Sequence, residues 1–115
     1  MEAPLPAHAH YQFKFLHAAI NELVVGPGDV RHRLIYAADP FLCVVPESSP
    51  QHLRSDIGWI RHYLTEFKAI PGMHFPYDSD VRVTMRRRRT ATAVRCAERM
   101  WSLYFLYRSA LDASS

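Results

Sequence analysis

The side chains best suited to chemistry in this sequence are histidines spaced from acids, two isolated thiols and a run of four arginines. His52 precedes Asp56 by four residues, and His62 precedes Glu66 by the same interval. On a helix such pairs share a face, and the carboxylate can orient the imidazole as general-base catalysis requires. No serine or cysteine nucleophile stands in a motif beside either pair. The same spacing also describes ordinary surface ion pairs, which contribute little. The expectation is no catalytic residue and no enzymatic activity.

His8 and His10 lie near the start of the chain, with His17 two turns beyond His10. No acid or thiol at ligand spacing completes a metal site with them. Cys43 and Cys96 are far apart and lack ligand-spaced partners. Both are expected to be reduced, buried and apolar in role. No metal, cofactor or small-molecule substrate is expected.

The arginine run, Arg86 to Arg89, stands out most. Successive helical residues are about 100° apart, so four in a row circle a helix and cannot share one solvated face. Downstream, Ala93, Ala97, Met100, Tyr104, Tyr107 and Leu111 step by threes and fours and mark an inner face. Extended backward through an unbroken helix, that face meets Arg82, Arg86 and Arg89. An unpaired guanidinium is too costly to bury there. Three resolutions remain open: a break near Arg89 with Thr90 capping a new helix, an overhang beyond the core, or ion pairs with neighbouring acids.

The opposite face carries Arg88, Thr92, Arg95 and Arg99 in line, with Arg87 at its flank. Segment 82–99 holds seven of the 14 basic residues, opposed only by Glu98. The planar guanidinium suits bidentate contact with phosphate or carboxylate. Arg82, Arg86, Arg87, Arg88, Arg89, Arg95 and Arg99 are thus the candidate surface for nucleic acid or an acidic protein. The net charge is only +3, and no zinc finger, glycine-rich phosphate loop or aromatic RNA-binding signature accompanies them. A solvated charged face and an arginine-rich codon bias account for the same residues.

Aromatic residues offer a second surface. Trp59 and Tyr63 lie four apart beside the inner face of one helix, while Trp101, Phe105 and Leu106 widen the apolar surface of the last. Aromatic surface that a small core cannot cover marks a protein interface. A broad core around a central helix is the competing account.

These residues need helices to position them. The spacing predicts a first helix over about Ala7 to Val24, with Phe13, Leu16, Ile20 and Leu23 inward, ended by Gly26-Pro27-Gly28. Asp29 is the expected N-cap of a second helix, with Val30, Leu34, Ala37 or Ala38, and Leu42 inward. Pro40 should end it near Ala38 or kink it. Ser49-Pro50 predicts a third start, running to Phe67 on Leu53, Ile57, Ile60, Leu64 and Phe67. Residues 68–78 form the longest connection, and a last helical segment spans about Ser79 to Leu111. Residues 1–6 read as a loose lead-in. The whole suggests one all-α domain over 1–115, a compact antiparallel four- or five-helix bundle.

The chain has 115 residues, 49 % hydrophobic and 22 % charged, enough for a packed core and unlike a disordered chain. No apolar run approaches a membrane span, and no signal peptide is evident, so a cytoplasmic setting is expected. The favoured function is protein binding or self-association by a small non-catalytic protein. Size and composition suit an accessory or regulatory factor of a bacterial mobile element or defence locus. Nucleic-acid binding through the arginines is the alternative, and an enzyme using a His/acid pair stands third.

Overall fold

The computed structural model describes residues 4–73 and 79–114. All regular structure among them is helical: α1 (Ala9–Val25), α2 (Val30–Phe41), α3 (Arg54–Thr65), α4 (Asp80–Arg86) and α5 (Thr90–Ala113), with 3-10 turns at Pro46–Ser48 and Gln51–Leu53. Part of the expected 68–78 connection, and residues 1–3 of the lead-in, fall outside the described residues. Among the described residues no helix is long and apolar enough to cross a membrane.

In α1, Leu16 and Ile20 are buried with Ala9 and Ala19, while Phe13 and Leu23 pack half-buried at the margin. The helix stops at Gly26, whose extended backbone still donates its N–H to Glu22 O. Gly28 follows with φ of 81°, a conformation that disfavours side chains. Arg33 clamps this turn, donating to Gly28 O at 3.1 Å and to Leu23 O at 3.2 Å. Asp29 caps α2 by accepting the His32 N–H at 3.1 Å. That bond holds its carboxyl below the usual aspartate value.

Pro40 neither ends α2 near Ala38 nor stops its last turn, because the helix continues to Phe41. The missing proline N–H costs one bond, yet Leu42 N–H still reaches Ala38 O at 2.8 Å. Phe41 is fully buried, and the expected inward Leu42 is only half-buried.

The third start also differs. Ser49 does not cap a helix; its hydroxyl donates back to Val45 O at 2.8 Å, and α3 begins only after a 3-10 turn. Guanidinium groups satisfy backbone carbonyls of this corner. Arg54 donates to Ser49 O and Glu47 O, and Arg61 donates to Leu42 O at 2.7 Å and Val44 O at 3.0 Å. Leu53, Ile57, Ile60 and Leu64 are buried as their spacing requires, but α3 ends at Thr65, so Phe67 lies beyond the helix and is only half-buried.

The chain after α3 is stitched to α4. Asp80 accepts the Ala69 N–H at 2.8 Å, and the buried Thr84 hydroxyl accepts from Phe67 N–H while donating to Phe67 O. Ser79 caps α4 by accepting the Arg82 N–H at 3.2 Å. In α5 the buried row is Ala93, Cys96, Met100, Leu103, Tyr107 and Leu111. Cys96 and Leu103 thus take the places expected for Ala97 and Tyr104, which are half-buried. Tyr107 anchors α5 to the start of α1, its hydroxyl donating to Ala9 O at 2.7 Å.

Candidate functional site

The arginine run coincides with a break in the helix. α4 ends at Arg86, and Arg89 holds the N-cap position of α5 with extended backbone at φ −80°, ψ 148°. Thr90 is therefore the first helical residue, not the cap, and no side chain caps this end. The Thr92 hydroxyl donates to Arg89 O at 3.0 Å. The break releases α4 from the register of α5, so the buried face of one does not extend into the other.

The run therefore takes orientations that an unbroken helix would not give it. Arg86 and Arg89 are exposed and Arg82 is half-buried, whereas Arg88 turns inward. Its side chain is 17 % exposed and donates to Tyr63 O at 2.9 Å and Glu66 at 2.6 Å. The guanidinium lies 4.1 Å from the Tyr63 ring centroid and 5.4 Å from that of Phe67. Tyr63 O belongs to the last turn of α3, whose carbonyls have no helical partners, so Arg88 supplies both a donor and a favourable positive charge there. Arg31 completes the corner by donating to Arg88 O at 3.3 Å. Arg88 thus joins the C-terminal end of α3 to the α4–α5 corner, and it leaves the outer stripe to which its spacing assigned it.

Arg87 is exposed but lies 4.0 Å over the Phe67 ring. Arg99 donates to Asp56 at 2.9 Å and covers the Trp59 ring at 4.0 Å. Arg95 remains exposed. The seven candidate arginines therefore do not form one free basic face: Arg88 and Arg99 make internal bonds and Arg87 lies over the Phe67 ring, while Arg86, Arg89 and Arg95 are exposed and Arg82 is half-buried.

The aromatic candidates divide in the same way. Tyr63 is only 7 % exposed, and its hydroxyl meets that of Thr92 at 3.1 Å; burial pushes its phenol above the usual value. It belongs to the core. Trp59 stacks on it at 5.4 Å between centroids and stays partly exposed. Trp101, Phe105 and Leu106 are 46 %, 47 % and 48 % exposed. Trp101 meets Phe105 edge-on at 4.9 Å.

Two open grooves flank the exposed ridge of α5. The first, about 480 Å³, is lined by Leu23, Val30, Val94, Ala97, Glu98, Trp101 and Ser102. The second, about 390 Å³, runs along Asp56, Arg95, Glu98, Arg99 and Ser102. Sequence reasoning missed Val94 as a surface apolar residue. Val94 lies seven residues before Trp101, a shared helix face that the arginine stripe obscured. Val30 was legible as inward-facing and packs at the core margin, but its place in the groove was not, because only the α1–α2 turn brings it beside α5.

The histidine pairs stay apart from both grooves except through Asp56. His52 is exposed and Asp56 is bonded to Arg99 rather than to it. His62 and Glu66 are 3.9 Å apart with the imidazole 73 % exposed. His17 meets the Tyr104 hydroxyl at 3.0 Å. Among the described residues no group of three or more histidines, cysteines or acids could hold a metal. Both cysteines are free, but Cys43 is exposed, contrary to expectation. It follows the end of α2, where it points outward between Leu42, which packs at the core margin, and the buried Val44. Cys96 is buried, and that burial pushes its thiol up to about 12. No family model, curated protein or solved structure matches this chain.

Proposed function

We propose that this chain is a small non-catalytic protein that works by binding protein, either another chain or a second copy of itself, through the exposed flank of α5. The observation that carries this reading is the apolar groove beside Trp101, walled by Leu23, Val30, Val94 and Ala97 and continued along the helix by Phe105. Apolar surface of this kind is stabilised by a partner that removes it from water. An antiparallel bundle behind it would supply the rigid support, and two free thiols fit a cytoplasmic setting. An accessory or regulatory role follows from this reading.

The test replaces Trp101 and Phe105 together with alanine. Both side chains are about half exposed, so the fold should survive, as circular dichroism will show. Light scattering across micromolar concentrations and pull-downs from the host after nuclease treatment should both lose association. Association that persists in the folded double variant refutes the reading.

A second reading, contact with nucleic acid, draws on the exposed corner of Arg86, Arg87 and Arg89. It expects binding that weakens steeply with salt, because phosphate contacts release counterions. Alanine at these three positions should remove it; Arg88 is left intact because it supports α3.

A further inference from the structure

Arg95 and Glu98 lie one turn apart on α5 and both are exposed. At about 100° per residue they straddle the direction pointing away from the buried row of Ala93, Cys96 and Met100. Their charged neighbours Asp56 and Arg99 are bonded to each other at 2.9 Å. The Arg95 and Glu98 side chains take part in none of the ion pairs among the described residues. The ridge between the two grooves therefore presents one free cation followed by one free anion.

This pattern is complementary to its own antiparallel image. A two-fold axis crossing between residues 96 and 97 sets Arg95 against the Glu98 of a second copy, and Glu98 against its Arg95. The axis also keeps matching flanks on the same side, so the apolar edge of one copy adjoins that of the other. With a rise of about 1.5 Å per residue, the second Trp101 falls within about 3 Å, along the helix, of Val94 at the groove. Charge pairing and apolar cover thus arise from one symmetry operation, as an isologous interface requires.

We propose that the protein forms a two-fold homodimer in which α5 packs antiparallel against α5 of a second copy, with reciprocal Arg95–Glu98 ion pairs. This rests on the protein-binding reading above and selects self-association within it. The test is charge reversal at two exposed positions, read by the mass from light scattering as a function of concentration. Arg95→Glu and Glu98→Arg, each alone, turn two attractions into two repulsions and should weaken dimerisation at least about tenfold. The double variant R95E/E98R restores the pairing and should return the dissociation constant to within about threefold of the starting protein. Unchanged folding by circular dichroism in all three excludes loss of structure as the cause. A starting protein that stays monomeric to high micromolar concentration overturns the proposal, while Trp101-dependent capture of another protein would leave the broader reading standing. A dimer that ignores both single reversals, or that the double reversal fails to restore, also overturns it.

Discussion

Replacing Arg88 with alanine should destabilise the fold more than replacing any other member of the arginine run. The Arg88 guanidinium makes three kinds of contact from one largely buried position. It donates to Tyr63 O at 2.9 Å, and a hydrogen bond from a charged donor contributes about 1.5–3 kcal/mol. It lies 4.1 Å from the Tyr63 ring centroid, which adds about 0.5–1 kcal/mol. Its bond to Glu66 counts for only about 0.5 kcal/mol, because that carboxylate is 39 % exposed and screened by water. The contributions overlap, since one group makes them all, so the expected loss is about 2–3 kcal/mol rather than their sum. For a chain of this length that lowers the melting temperature by about 10 °C. Urea unfolding monitored by circular dichroism measures it, with Arg89→Ala as the exposed comparison, expected within about 0.5 kcal/mol of the starting protein. Arg88→Lys should recover only part of the loss, because a single ammonium cannot reproduce the planar fork. If Arg88→Ala costs no more than Arg89→Ala, the corner is not held as described.

Three further expectations test other parts of the structure. Asp29 and Asp80 each accept a backbone N–H that holds the carboxyl low, so the folded state binds fewer protons than the unfolded one. Their stabilisation is complete above the unfolded value and lost as pH falls below about 4. The urea midpoint should therefore drop in acid, and Asp80→Asn should flatten that drop; an unchanged slope would count against the Ala69 bond. A thiol reagent at neutral pH should label Cys43 in the folded protein and Cys96 only after denaturation; rapid native labelling of both would show that α5 is not packed as described. Tyr107→Phe removes the hydroxyl that donates to Ala9 O and should cost about 1 kcal/mol by thermal melting. No loss at all would indicate that the α1–α5 anchor does not form.

Legibility in the sequence followed the range of the interactions involved. Apolar periodicity located the helices and most of their buried residues, including Leu16 and Ile20 in α1, Leu34 in α2, and Ile57, Ile60 and Leu64 in α3. Asp29 was recognisable as a cap because its bond spans three residues. Errors appeared where long-range contacts outweighed local preference. Ser49 carries the residue type of an N-cap, yet its hydroxyl serves the preceding turn, and Arg54 and Arg61 satisfy the carbonyls around it. Pro40 signals an ending, yet one lost hydrogen bond does not outweigh the burial of Phe41.

The arginine run shows where local information stops. From sequence alone, four consecutive arginines at helical spacing cannot share a solvated face, so either the backbone breaks or some of them find partners. Both outcomes occur: the helix breaks after Arg86, and Arg88 is taken up by Tyr63 and Glu66. Which arginine turns inward depended on a carbonyl and a carboxylate more than twenty positions earlier in the chain. The same holds for the candidate interface, where Trp101 and Phe105 were legible as surplus aromatic surface. The groove beside them exists only because the α1–α2 turn carries Leu23 and Val30 against α5. Periodicity records how each helix divides between core and water, because that division is made within one turn of chain. Tertiary packing decides which outward residues remain free, because that depends on neighbours which no local spacing encodes.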